Sequence, residues 1–376
     1  MTQQPTQTVG DWLALVHDRY PPAHAASWDH VGLQVGDPAW PVSRVLVSLD
    51  VTGAVVDEAA QEPGTLVLAH HPLLFRPLAS VTPATASGRT ALAAATQRIA
   101  VAAAHTNLDV AADGAGTSVP VADLLGLRDR RPLTSQTREA DQVKLVVFVP
   151  TTHTEAVLDA LATIGAGRDG DYARCAFRVD GTGTFTPLDG ADPYLGQIGQ
   201  AETVAEHRLE LLVPRRLLGE AIRTLRAAHP YEEVAHDLFP RLTDAEVGFG
   251  LVGTLPEPRT LQEVADVLRD GLPAPQLRFA GDPDRVVRTV ATVGGAGDGL
   301  IEAALGAGVE AYVTGDLRHH VTLDALEQGL ALIDAGHHAT EAAAMPAWIE
   351  RLQAAATTRG LTAPVVASTV PTSPWR

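Results

Sequence analysis

The 376-residue chain contains a single cysteine, Cys175. One thiol excludes an intrachain disulfide and any thiolate-rich metal cluster. Basic residues are outnumbered: 28 Lys and Arg stand against 45 Asp and Glu, a formal net charge of −17. Direct nucleic-acid contact is therefore not expected, because displacing counterions from phosphates needs a basic patch. No run approaches the roughly 18 uninterrupted apolar residues of a membrane span, so no membrane partner is expected. The opening MTQQPTQTVG lacks the basic start and apolar core of a secretory signal, which predicts a cytoplasmic protein. There is no G-x-S-x-G nucleophile elbow. Cys175 lies in YARCAFRV without a nearby His, as a packing residue would.

What is present is ordinary globular material, 45% hydrophobic and 19% charged. At roughly 150 residues per domain the length divides into about 2.5 domains. β-branched runs alternate with Ala/Leu-rich helical stretches at both ends of the chain. Strands are expected at RVLVSLDV (Arg44–Val51), TLVLAHH (Thr65–His71), RIAVAAAHTNLD (Arg98–Asp109), VVRTVATVGG (Val286–Gly295), EAYVTGD (Glu310–Asp316) and LALIDAGHH (Leu330–His338). Continuous apolar strands separated by helices predict a split α/β domain with a mainly parallel sheet, over residues 1–130 and 245–376. Residues 141–240 differ. Strands at Lys144–Pro150 and His207–Pro214, helices after each, and a Gly-rich hairpin in YARCAFRVDGTGTFTPL predict an inserted α+β, ferredoxin-like domain. The polar stretches RDRRPLTSQTREADQ and RLTDAEVGFG read as linkers.

The 14 histidines cluster. His30, the pair His70–His71, His105, the pair His319–His320 and the pair His337–His338 account for eight. Most sit at the C-terminal ends of predicted strands, where open α/β sheets bring their ligand-binding loops together. Asp50, Asp109, Asp316 and Glu341 occupy similar places. Neutral imidazole with carboxylate suits zinc, iron, manganese or cobalt without any sulfur. His337 and Glu341 are four apart and share one helix face. His70 and His71 can both reach one ion if Pro72 ends the strand. Asp109 suits bridging a pair of ions about 3.5–4 Å apart. Taken singly, His105 reads first as a structural residue closing a turn, and His17, His24, His153 and His207 as surface residues. An HHP motif together with an H-x-x-x-E motif on separate strand ends favours a metal site. VGGAGDG (Val293–Gly299) is neither a P-loop nor the dinucleotide fingerprint. A tight turn and a phosphate-binding loop explain it equally well.

The motifs WDHVGLQVG, AHHPLLF, HTNLD, TGDLRHH and DAGHHATE resemble the Nif-like dinuclear metal-centre family, whose members carry the label type 2 GTP cyclohydrolase I homologues. The resemblance implies two divalent metal ions per chain (Zn, Mn, Fe or Co), held by His70, His71, Asp109, His337 and Glu341. It also implies that the insert is PII/CutA-like and that the chain forms a homohexameric ring. His30 replaces an Asn usual in the family, and His338 stands where an aromatic residue is common. The function implied is a metal-dependent hydrolase. His105 and His320 are then candidate catalytic acids or bases, and Asp29 and Asp316 orient ligands. A guanine nucleotide is the implied small-molecule substrate, with the Gly294–Gly299 loop receiving a phosphate. The alternative is a non-catalytic metal-handling or regulatory ring.

Overall fold

The computed structural model describes residues 7–111, 114, 116–135, 137–244, 247–273 and 276–375. The domain bound drawn at residue 245, and Gln136 within the expected linker, lie outside them. Strands β1 (Gly32–Val35), β2 (Arg44–Ser48), β3 (Thr65–Ala69), β4 (Ala100–Ala103) and β5 (Arg128–Pro132) come first. β6 (Thr137–Pro150), β7 (Phe177–Phe185), β8 (Glu202–Pro214) and β9 (His236–Asp244) follow. The chain ends with β10 (Leu251–Thr260), β11 (Arg278–Ala280), β12 (Val286–Ala296), β13 (Ala311–Gly315), β14 (Ala331–Asp334) and β15 (Val365–Ala367). By contacts, Thr137–Ala245 is one compact unit, and the segments before and after it together form another.

The larger unit is mixed α/β with two sheets instead of one. The first has the order β1-β4-β3-β2-β15 and the second β11-β14-β13-β12-β10-β5. Each is parallel at its centre; antiparallel β1 is added at one edge of the first, and β11 at one edge and β10 with β5 at the other edge of the second. Every residue of β3, β4, β13 and β14 is buried, as expected for parallel strands covered on both faces. Alternation assigns the two faces. Val45, Val47, Leu66 and Leu68 pack under Trp12 and Trp348, whereas Leu46, Val67 and Val101 meet Val55, Val56 and Ala94. Truncating either fully buried Trp costs about 3–5 kcal/mol by the usual cavity effect. In the second sheet, Ala311, Val313 and Ile333 pack on Val264 and Leu268, while Tyr312 and Leu332 face Ile301 and Ala325. The helices over these faces start on threonine caps: Thr8 and Thr260 form capping boxes with Asp11 and Glu263, and Thr52 and Thr85 cap the next two.

The polar stretch Arg128–Gln142 is not a linker. It supplies β5, which closes an edge of the second sheet against β10, and the start of β6. An edge strand tolerates exposed polar side chains such as Arg128 and Arg131.

The smaller unit runs β6–helix–β7–β8–helix–β9, antiparallel in the order β7-β8-β6-β9. Helices Thr154–Thr163 and Leu218–Ala228 pack Val157, Leu161, Ala221 and Leu225 onto Leu145, Val147, Leu209 and Leu211. The Gly-rich hairpin expected in Tyr172–Leu188 is instead the single strand β7. One of its glycines answers a close approach across the ladder: a Cβ on Gly183 would run into the Glu206 carboxylate. His207, expected on the surface, is half-buried there and bonds Thr154 Oγ1 at 2.8 Å. In the larger unit His17 is likewise half-buried, and burial lowers its pKa.

Candidate metal centre

The site lies within the larger unit, where the ends of several strands meet. β3 stops at Ala69, so His70 and His71 follow it as irregular backbone, although their amides still bond the carbonyls of Ser48 and Leu49. After β4, Thr106–Asp109 forms one helical turn with His105 at its N-cap position. β14 is followed by a short helix, His337–Ala342, that sets His337 and Glu341 one turn apart on the same face.

Four imidazoles are oriented alike. His70 Nδ1 donates to the Ala104 carbonyl at 3.1 Å. Asp50 Oδ1 holds His71 Nδ1 at 2.9 Å, Asp29 Oδ1 holds His105 Nδ1 at 3.0 Å, and Asp316 Oδ2 holds His337 Nδ1 at 2.7 Å. With Nδ1 occupied, each ring offers a bare Nε2. Three of these converge on Glu341: His71 Nε2 lies 3.1 Å from Oε2, His337 Nε2 3.1 Å from Oε1 and His70 Nε2 3.4 Å from Oε1. Asp109 Oδ1 stands 3.5 Å from His70 Nε2 and accepts from Thr117 Oγ1 at 2.6 Å. Glu341, not Asp109, is therefore the carboxylate common to the three histidines.

Such donors suit a metal ion. His70 Nε2 and Glu341 Oε2 are buried polar atoms without a hydrogen bond. His71 Nε2 and His337 Nε2 face each other at 3.3 Å, so the two lone pairs need a proton or a metal cation between them. Ligands at about 2.1 Å around a tetrahedral ion stand about 3.4 Å apart, close to these gaps. The trios His71, His337, Glu341 and His70, His71, His105 each bring three ligand atoms within reach of one ion.

The electrostatics carry the same stress. Burial alone would lower His71, but the neighbouring carboxylates of Asp50 and Glu341 outweigh it and push its pKa up to about 10. For His337, Glu341 and Asp316 likewise overcome burial and raise it to about 9. Glu341 would be raised by burial, yet the surrounding His70, His337 and His71 hold it well below the usual carboxylate range. Burial is the largest influence on Asp109 and raises it. Asp29 is depressed: burial is outweighed by hydrogen bonds from His105 and Thr106. An assembly that draws positive charge this strongly is one that a divalent cation neutralises.

Gly295, at the end of β12, explains part of VGGAGDG. It has φ +70°, and a Cβ there would lie 2.2 Å from Glu341 Oε1. The amides of Gly294 and Gly295 are already donated to Ser118 Oγ and Thr340 Oγ1. The run is thus a close-approach device for Glu341, and those two amides are not free for a phosphate. Asp316 also takes a positive φ, +56°, a conformation tolerated by Asp and typical of functional positions.

The cluster opens into a cavity of about 1410 Å³ whose walls include Trp28, Asp50, His71, Phe75, His105, Asp109, Asp316, His337, His338 and Glu341. His30 is exposed and lies outside the ligand groups. His319 and His320 are exposed on the first turn of helix His319–Glu327 and do not line this cavity. The residues that sequence patterns missed, the Ala104 carbonyl, Thr117 and Thr340, act through backbone or hydroxyl groups, whereas Gly295 lay in a run already singled out, for a different role. Only the glycine run carried a visible signal.

An α/β protein with a buried His/carboxylate cluster able to hold metal defines the class. The Duf34/NIF3 (NGG1p interacting factor 3) profile matches residues 7–374, and the chain belongs to that family. A Bacillus subtilis protein named GTP cyclohydrolase 1 type 2 homolog is 41% identical over 320 residues, 85% of each chain. The Mycobacterium tuberculosis protein of that name is 40% identical over 372 residues, 98% of this chain and 96% of its own. A Bacillus cereus protein related to NIF3 superposes with TM-score 0.70 at 38% identity, covering 99% and 100% of the two chains. Staphylococcus aureus SA1388 does so with TM-score 0.78 at 26% identity, covering 99% of each. No helix among the described residues is long and apolar enough to cross a membrane.

Proposed function

We propose that the protein is a metal-dependent hydrolase with a dinuclear centre. The observation that carries this reading is the convergence of three bare Nε2 atoms on one buried carboxylate, open to a cavity. His71, His337 and Glu341 would hold one ion, and His70, Asp109 and Glu341 its neighbour. When bound, such ions supply Lewis acidity and lower the pKa of water from about 15.7 to about 7. The protein's own groups do the rest. Asp50 and Asp316 fix the rings of His71 and His337, so that only Nε2 points inward. His105 lines the cavity with its Nδ1 fixed by Asp29, leaving Nε2 to accept a proton from water and return it to a leaving group. Thr106 Oγ1 and its amide hold Asp29 from the other side, at 2.5 and 3.1 Å. A cyclohydrolase activity, as in the names of the curated relatives, falls within this class.

The test pairs elemental analysis with turnover. Protein loaded with Zn, Mn, Co or Fe is assayed on GTP, esters and phosphoesters. The expected result is turnover that disappears with Glu341→Ala and falls about 10²-fold or more with His105→Ala. Tightly bound metal with no turnover of any substrate would favour the non-catalytic metal-handling alternative.

A further inference from the structure

We propose that the cavity beside the histidines binds a planar heteroaromatic ring of low charge, stacked on Trp28 with Phe75 at its edge, and does not accommodate a nucleoside triphosphate. This deepens the hydrolase reading by naming its substrate class, and rests on that reading only for the fate of the ring.

Trp28 is 58% exposed and Phe75 50%, although both line the same cavity as His71, His105 and Glu341. Their ring centroids are 5.8 Å apart at 63°, and each ring also packs edge-on near His105, at 6.1 and 6.3 Å. The aromatic surface therefore ends at the imidazole whose Nε2 faces the chemistry. It is also fixed in place. Asp29, next to Trp28, is held by His105 and Thr106, while the amide of Leu74, next to Phe75, donates to Gln34 Oε1 at 3.0 Å. Anchored, solvent-exposed rings of this size regain burial when a flat π-system stacks on them.

Charge narrows the class. The described lining holds five carboxylates (Asp50, Asp109, Asp316, Asp334 and Glu341) and a single guanidinium, Arg278. Arg278 already bonds Asp334 Oδ2 through Nε at 3.1 Å and Nη2 at 2.8 Å. Two divalent ions would bring this set only to neutrality. The one guanidinium of the described lining is thus engaged by a carboxylate, and polyphosphates are held by Arg, Lys or free backbone amides. The amides of Gly294 and Gly295 are spent on Ser118 and Thr340, and the chain's net charge of −17 repels polyanions at long range. A nucleobase or nucleoside fits; its triphosphate does not.

The test titrates the protein as purified with guanosine, adenosine and GTP, following tryptophan fluorescence and calorimetry. Trp28→Ala, Trp28→Phe and Phe75→Ala are run in parallel, with metal counted in each. At least one nucleoside is expected to bind no more weakly than GTP. Trp28→Ala should weaken it about ten-fold at unchanged metal content, with Trp28→Phe recovering most of the loss. GTP binding ten-fold more tightly than both nucleosides, neither nucleoside binding, or affinity indifferent to all three substitutions would each overturn the proposal. Failure of the hydrolase reading shows differently. A nucleoside that binds in this Trp28-dependent way while nothing is turned over supports the stack and removes the hydrolase. Turnover of ring-free substrates with no nucleoside bound does the reverse.

Discussion

A buried carboxylate among three imidazoles is tolerable only with its surroundings held to a few tenths of an ångström, and Gly295 is where that constraint is tightest. Gly295→Ala introduces both a Cβ against Glu341 Oε1 and an unfavourable positive φ. Expected are a loss of about 1–3 kcal/mol in stability, read by urea unfolding in chelator, and a fall in metal per chain by elemental analysis. Asp50 and Asp316 touch the rings of His71 and His337 from behind. Asp50→Ala should weaken metal affinity about 10- to 100-fold while leaving the unfolding midpoint of the chelated protein nearly unchanged; competition with a chromophoric chelator measures the first. An unaltered affinity would remove the orienting role. Histidines and acids at strand ends were legible because spacing and chemistry sit in the same letters. Which of them meet was not. His320 carries the same local signature as His71, a histidine pair after a predicted strand, yet it is solvent-exposed.

Among the elements, the helix Gly53–Ala60 ties down the segment after β15. Glu58 accepts from Ser368 Oγ, from the Thr369 amide at 2.9 Å and from Thr369 Oγ1 at 2.7 Å. Burial would raise its carboxyl, but these bonds outweigh it and leave the pKa below the usual 4.5. The sign follows from linkage: a carboxyl depressed in the folded state contributes stability above its unfolded pKa and loses it as pH falls through the folded value. Glu58→Gln should therefore speed amide exchange at Thr369 and Val370 at pH 7, with the wild type approaching that behaviour only as pH falls below the usual carboxylate value of 4.5. Exchange equally fast in both at pH 7 would show that the anchor is not Glu58. Continuous apolar runs made β3, β13 and β14 readable, because a strand covered on both faces has no polar face to show. β5 was not readable: an exposed edge strand needs no apolar residues, so its sequence looks like a linker. β7 was misread for a related reason, since glycine that makes room for Glu206 is spelled the same as glycine that turns a hairpin.

At the scale of the molecule, the centre draws on both segments of the larger unit, with His70, His71 and Asp109 from before the smaller unit and His337 and Glu341 from after it. Metal bound there stabilises only the fold that holds it. Ligand at about 100 times its Kd adds about 2.7 kcal/mol, so a chelator should lower the unfolding transition of the larger unit and leave that of Thr137–Ala245 in place. Calorimetry with and without chelator checks this, and two transitions shifting together would count against a centre confined to the larger unit. By itself the sequence determined the α/β character, the His/carboxylate chemistry and the family, because strand burial, ligand type and motif order are local or linear properties. The division of the parallel strands between two sheets, the convergence on Glu341 and the close approach of Gly295 were decided by tertiary structure. They depend on which strand ends adjoin, a matter of register and packing between residues up to some 270 positions apart, as His71 and His337 are with their Nε2 atoms at 3.3 Å.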